Sequence, residues 1–403
     1  MILFSKLERY EGNKPLFDLV MMSMVSSYAS QPLHIHAEGL RGTGKTSIMR
    51  ASKQVLPNIA RIKNCIYNCD PEKPHCPHHK NLTPPEVDEL GTEYIPMPFL
   101  EISHGAKIGT VAGSIDLAKL TDPSHPEAHL LPGLIPQAHR GIIFVDEINR
   151  LADTSPEITD VLLDVMGNKP GHLQIEEAGL PVVGLDVCVS VWAASNPDEE
   201  PGPLEETRRQ LSDRFDMVCN MGRPDSVEVL ADILRVNSYK NKIQKAGQNI
   251  VDENAVRENE AVREQIVKWA LAYMEGDLPD FLANYIARLY IGNNLESIRA
   301  MEAMQQGAVL YSIVRNRDQV LISDVLATIP WVLKHRVERD ALIKILNDAE
   351  IRGPKDAIMN MASKIRSKNT METDYFKQNA RPLTEMSRSE LISTEKTLSK
   401  ESD

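Results

Sequence analysis

Residues Gly39-Leu40-Arg41-Gly42-Thr43-Gly44-Lys45-Thr46 match the pattern G-x-x-x-x-G-K-[ST] at every fixed position. Each residue type has a physical reason to be there. Glycines let backbone N–H groups curl around phosphate oxygens, where a Cβ would obstruct the approach. Lys45 can reach the β- and γ-phosphates of a nucleotide, and the Thr46 hydroxyl can ligate Mg²⁺. Ser47 follows in the first turn of the expected helix, whose N-terminus adds positive partial charge. The plain alternative is a glycine turn that merely starts a helix.

Asp146-Glu147 weighs against that alternative. The pair ends the apolar run IIFVDE, and a strand tip of this kind delivers both acids to the ligand-binding edge of an open α/β sheet. Asp146 would hold Mg²⁺, and Glu147 would orient or deprotonate an attacking water. The alternative is two solvated acids. Asn196 closes a second apolar strand, where a neutral amide can bond a γ-phosphate or the lytic water; it can equally cap the turn before Pro197. Arg214, in QLSDRFD, offers the extra positive charge that phosphoryl transfer needs, worth ~10³–10⁵ in rate when supplied from outside the site. A salt bridge to Asp213 or Asp216 is the other reading of Arg214.

Those residues need elements to carry them. Leu33–Ala37 reads as a strand feeding the glycine loop, and KTSIMRASKQVL from Lys45 has helical spacing. Gly141–Glu147 and Val187–Ala193 read as continuous apolar strands of a parallel sheet covered on both faces. Leu16–Ser27 is apolar almost all round and predicts a buried helix. Strand and helix alternate over roughly 30–220, which argues a doubly wound α/β domain. The expected divisions are an N-terminal helical segment (1–30), a nucleotide-binding domain (31–221), a helical domain (222–350) and a charged tail (351–403). Within the second lies a Pro- and Cys-rich stretch, 65–98, with no periodicity, read as an irregular excursion.

Composition bounds the function classes. The chain has 403 residues, too many for one core, with 42% hydrophobic and 25% charged residues, as in ordinary globular proteins. No apolar run approaches the ~20 residues that cross a bilayer, so no membrane insertion and a cytoplasmic location are expected. The net charge of -12 disfavours a nucleic-acid partner. Five cysteines, three of them clustered, do not form an extracellular disulfide framework. Cys65, Cys69, Cys76 and His78, with His75 and His79 beside them, could hold Zn²⁺; redox thiols and an unliganded loop are the alternatives. Cys188 and Cys219 read as core residues.

The chain resembles the ATPase (I) subunit of magnesium chelatase, in the AAA+ superfamily, over roughly residues 33–340. The resemblance is carried by GLRGTGKT, IIFVDE, NCIYNCDPEKPHC, IGTVAGSIDL, PGLIPQAHRGIIFVDEINRLAD and QLSDRFD. It implies an AAA+ P-loop αβα sandwich with a parallel sheet followed by an all-α lid, using ATP and Mg²⁺. It implies that Asn196 is the first sensor, Arg214 the arginine finger, Arg208 a second arginine ahead of it, and Arg299 the second sensor of the lid, with Arg288 a nearby competitor. Two insertions are implied, one in the second helix (108–132) and a hairpin ahead of the first sensor (171–185). The hairpin carries Glu176 and Glu177 and no basic residue, unlike a DNA-translocating loop.

By the resemblance the chain is a motor subunit in a homo-oligomeric ring, a hexamer, with a von Willebrand A-type subunit and a porphyrin-binding subunit as partners in metal insertion. A MoxR-like chaperone ATPase working with a von Willebrand A-type partner, without porphyrin chelation, is the alternative. A nucleotide-dependent scaffold is disfavoured by the intact Lys45, Asp146, Glu147 and Arg214. Two stretches depart from the family pattern. The usual Phe-x-x-Ile-x-Gly-Gln opening has no equivalent in KPLFDLVMMSMVSSY, and the tail is extra.

Overall fold

The computed structural model describes residues 3–115, 130–175, 182–235 and 253–349. The tips of both expected insertions, Glu176 and Glu177 among them, and the expected tail lie outside these residues.

Five strands form a parallel sheet: β1 (Ile35–Gly39), β4 (Phe99–Ile102), β7 (Gly141–Asp146), β10 (Val189–Ser195) and β11 (Met217–Met221), in the order β11-β1-β10-β7-β4. β7 and β10 are almost wholly buried, which is why they read as unbroken apolar runs rather than alternating ones. α1 (Lys14–Tyr28), started by Pro15 in its first turn, packs on β1, β10 and β11, and its apolar circumference is buried nearly all round. α2 (Lys45–Ser52) follows β1 across the glycine loop. α6 (Ile148–Thr154) and α7 (Pro156–Val165) follow β7.

The stretch 65–98 is more ordered than its composition suggests. It holds α3 (Pro84–Leu90), whose Thr83 and Glu86 close a capping box. It also holds β3 (Thr92–Pro96), paired antiparallel with β2 (Asn58–Ile62). β3 alternates exposed and half-buried residues as a two-stranded surface ribbon does, without the apolar run that marks the central strands. Val187–Ala193 is also not one strand. Cys188 breaks it, with β9 (Val183–Val187) pairing back on β8 (Gly171–Ile175) and β10 beginning at Val189. The break is held because the Arg140 N–H donates to the Cys188 carbonyl at 2.7 Å, while the Cys188 N–H donates to His139 Nδ1. Short strands β5 (Gly113–Ile115) and β6 (Leu130–Pro132) pair after α4 (Ile108–Val111), and α5 (Leu134–Gln137) leads toward β7.

α8 (Leu204–Thr207) and α9 (Arg209–Arg214) precede β11, and a helix at 227–235, α10, follows it. Compactness divides the chain between Leu271 and Ala272, inside α11 (Glu253–Glu275). The early part of α11 belongs with the sheet unit: the Ser5 N–H donates to Asn259 Oδ1, and Arg263 donates to the carbonyls of Leu56 and Gln54. The second unit is helical among its described residues, with α12 (Asp280–Gly292), α13 (Ile298–Val314), α14 (Ile322–Leu333) and a further helix at 339–349. No helix among the described residues is long and apolar enough to cross a membrane. A parallel αβα sheet with a P-loop between its first strand and helix, joined to an all-helical unit, is the AAA+ architecture.

Candidate functional site

The glycine loop folds as its composition requires. Gly42 and Gly44 have φ of +78° and +92°, and nothing lies within 4 Å of where a Cβ would stand on either. Side chains there would be strained and would fill the concavity that the bare backbone leaves open. That concavity is a cavity of about 270 Å³ lined by Arg41, Gly42, Thr43, Gly44, Lys45, Thr46, Ser47, Asp146, Glu147, Ser195 and Asn196. Three elements therefore bring the expected residues to one sheet edge: α2 through its first turn, β7 through its acids, and β10 through Asn196. Gly39 and Leu40 serve from just outside, since their carbonyls accept from Lys45 Nζ at 2.6 and 2.9 Å.

Lys45 Nζ also donates to Asn196 Oδ1 at 2.8 Å. Burial pushes its pKa down, opposed by Asp146 and Glu199. The ammonium thus sits in a half-dry pocket holding three oxygen acceptors, and phosphate oxygens would suit the same donors better. The turn after Asn196 is held by the main chain, whose carbonyl accepts from the Glu199 N–H at 3.2 Å and from Asn149 Nδ2 at 3.4 Å, while the side-chain oxygen stays on Lys45.

Thr46 Oγ1 donates to Asp146 Oδ1 at 3.1 Å. A hydroxyl and a carboxylate this close present the hard oxygen donors that suit Mg²⁺, with the remaining positions left to phosphate and water. The residues present fit MgATP. Glu147 stands at φ 51° and ψ 52°, a left-handed conformation that turns the chain out of β7 into α6.

Two contacts escaped sequence reasoning. His104, just beyond β4, places Nε2 3.4 Å from Glu147 Oε2, which Arg150 Nη1 also approaches at 2.9 Å. Arg50, one turn beyond Thr46 on α2, pairs with Glu101 at 3.0 Å and approaches Asp146 at 3.5 Å. The spacing of Arg50 from Thr46 on one helix face was a usable signal; nothing local marked His104.

The structure does not bring every candidate to this cavity. Arg208 joins α8 to α9 and Arg214 ends α9, both half-buried, and neither lines it. Asp216 goes to a different cation: Lys169 Nζ lies 3.0 Å from both its oxygens, and the His34 N–H donates at 2.7 Å. Arg299 lies in the first turn of α13 and Arg288 on α12, both in the second unit.

In the 65–98 stretch, Cys65, Cys69, Cys76 and His79 place one ligand atom each within 4.8 Å of the others. His79, not His78, is the fourth member. Cys76 Sγ lies 3.3 Å from His79 Nδ1, whereas the His78 ring turns toward Tyr67, with centroids 6.2 Å apart. Cys188 and Cys219 are core residues as read, and burial pushes their thiols up to about 11 and about 12.

Residues 283–353 match the AAA lid domain model. The chain is 27% identical over 329 residues to the magnesium-chelatase 38 kDa subunit of Acidiphilium rubrum, covering 81% of this chain and 90% of that protein. It is 29% identical over 311 residues to the magnesium-chelatase subunit ChlI of Cyanidium caldarium, covering 75% and 82%. Among solved structures, a BchI–BchD complex of magnesium chelatase aligns over 86% of this chain and 99% of that one, at 23% identity and a TM-score of 0.44. A putative ATPase from Cytophaga hutchinsonii aligns over 83% and 89%, at 18% identity and a TM-score of 0.47. The names of the sequence relatives lend the MoxR-like alternative no support. With an AAA+ fold and an AAA lid match, the chain is similar over most of its length to the 38 kDa and ChlI subunits of magnesium chelatase.

Proposed function

We propose that the chain is a Mg²⁺-dependent ATP hydrolase of the magnesium-chelatase I type, a ring-forming motor subunit that remodels a partner during metal insertion. The observation that carries this is the meeting of Lys45–Asn196 at 2.8 Å and Thr46–Asp146 at 3.1 Å around one open glycine-lined cavity. Thr46 and Asp146 would hold Mg²⁺, which would supply charge neutralisation for the phosphates. The chain's own groups do the rest. The loop N–H groups and Lys45 bind and orient the phosphates, with Lys45 exchanging carbonyl acceptors for phosphate oxygens. Glu147 takes the proton of the attacking water, and Asn196 positions that water against the γ-phosphate. Arg214, absent from the lining of its own subunit's cavity, serves a neighbour's, with Arg208 beside it; Arg299 takes the second-sensor role by the resemblance alone.

The relatives are named as subunits, which supports a multi-protein assembly; the von Willebrand A-type and porphyrin-binding partners follow from the resemblance alone. Glu147→Gln tests the chemistry. Nucleotide affinity should stay within a few-fold while phosphate release falls by about 10²-fold or more. Normal turnover in that variant would remove Glu147 from the proton transfer.

A further inference from the structure

We propose that Cys65, Cys69, Cys76 and His79 form a closed, structural Zn²⁺ site that pins the excursion after β2 onto the start of the strand bearing the acidic pair. The three thiols are buried and none is in a disulfide. Their sulfurs and the His79 nitrogen all lie within 4.8 Å of one another. A tetrahedral zinc with its usual bond lengths needs ligand atoms about 3.4–3.8 Å apart, so only small movements would close the site. Soft thiolates with one imidazole select zinc among the divalent ions, and a cluster this tight leaves no room for the inorganic sulfides of an iron–sulfur centre.

The surroundings are those of a metal knuckle. The Cys69 N–H points at Cys65 Sγ at 3.5 Å, and the His75 and Cys76 N–H groups point at Cys69 Sγ at 3.4 and 3.3 Å. Such N–H donors stabilise the negative charge of a thiolate that also binds a metal. His75 Nδ1 also lies 3.3 Å from Cys69 Sγ, but its ring stacks on His139 at 3.6 Å between centroids, which makes it a support rather than a fourth ligand. All four positions are filled by protein, so no place is left for a substrate, which marks a structural site.

The knot grips the residues that lead into β7. Asn68 Nδ2 donates to the Gln137 carbonyl at 2.6 Å, and Arg140 pairs with Asp70 at 3.1 Å while donating to the Ala60 carbonyl. Arg61 donates to the Cys65 carbonyl and to Asn68 Oδ1. Zinc would hold the start of β7, at the end opposite Asp146 and Glu147, and take no part in hydrolysis.

The test reads metal, not turnover. Full-length protein purified without chelator, then reduced and passed through metal-free buffer, should carry about one equivalent of zinc by elemental mass spectrometry. An organomercurial should release that zinc as it titrates the thiolates. Refilling with Co²⁺ should give the thiolate charge-transfer absorption of a tetrahedral centre. Cys69→Ser and Cys76→Ser should lose the metal, His79→Ala should bind it more weakly, and His78→Ala should keep it. The proposal is overturned if reduced wild-type protein carries no zinc as purified and gives no charge-transfer band with Co²⁺. Wild-type protein needs no mutant to fold, so that result stands by itself. Metal lost from His78→Ala and kept by His79→Ala would equally overturn the assigned ligand set.

Discussion

At the scale of single residues, the cavity separates binding from chemistry. In the proposed reaction Lys45 and the loop N–H groups bind the phosphates, whereas Glu147 and Asn196 act on the attacking water. Asn196 reaches Lys45 at 2.8 Å, while its carbonyl holds the following turn. Replacing the side chain with Ala leaves the carbonyl and the turn in place. Asn196→Ala should therefore lower the steady-state rate by about 10²-fold, as for the loss of one positioned donor, with little change in nucleotide affinity. Phosphate release measured beside binding of a fluorescent ATP analogue separates the two. A large loss of affinity with an unchanged rate would make Asn196 a binding residue instead.

At the scale of elements, the sheet places the site, and its close contacts are specific. A Cβ on Gly141 would stand 2.3 Å from the Pro98 carbonyl oxygen, where β4 begins its pairing with β7. Gly141→Ala should cost about 1–3 kcal/mol in urea unfolding, because backbone rather than a flexible side chain must yield. β11 is fastened differently, through buried Asp216. Burial works against its charge, yet Lys169 and His34 hold its pKa below the ordinary value. A depressed folded-state pKa gives stability that is present above the unfolded value of about 3.9 and lost as pH falls through the lower folded value. Lys169→Met should thus destabilise the protein at neutral pH by about 3 kcal/mol, the low end of the cost of stripping a buried charge of its partner. The gap from wild type should narrow as the pH falls and the buried Asp216, no longer held down by Lys169, takes up a proton in the variant before it does in the wild type. An equal gap at every pH would show that Lys169 acts through packing alone.

These elements also show what the sequence could reveal. The P-loop, β7 and the acid pair were legible because fixed residue types coincide with an apolar run that only a two-sided strand explains. β2 and β3 were hidden because both are short, their alternation is shallow, and Pro57 and Pro96 stand at their ends. The Cys188 break and the His104 contact were hidden because each depends on residues distant in sequence, His139 with Arg140 for one and Glu147 for the other. The choice of His79 over His78 is a matter of which neighbouring side chain turns inward, and spacing alone does not decide it.

At the scale of the molecule, the proposed ring completes one subunit's cavity with the next subunit's Arg214. Lys45→Ala removes the phosphate-binding cation but leaves Arg214; Arg214→Ala does the reverse. Each alone should be inactive, with Arg214→Ala still binding nucleotide and its rate lowered by about 10³-fold or more. The most direct measurement is phosphate release from the two variants mixed before assembly. The mixture should recover a substantial fraction of the wild-type rate, from interfaces that pair an intact Lys45 with an intact Arg214. Full activity of Arg214→Ala alone, or a mixture that co-assembles and stays inactive, would contradict it.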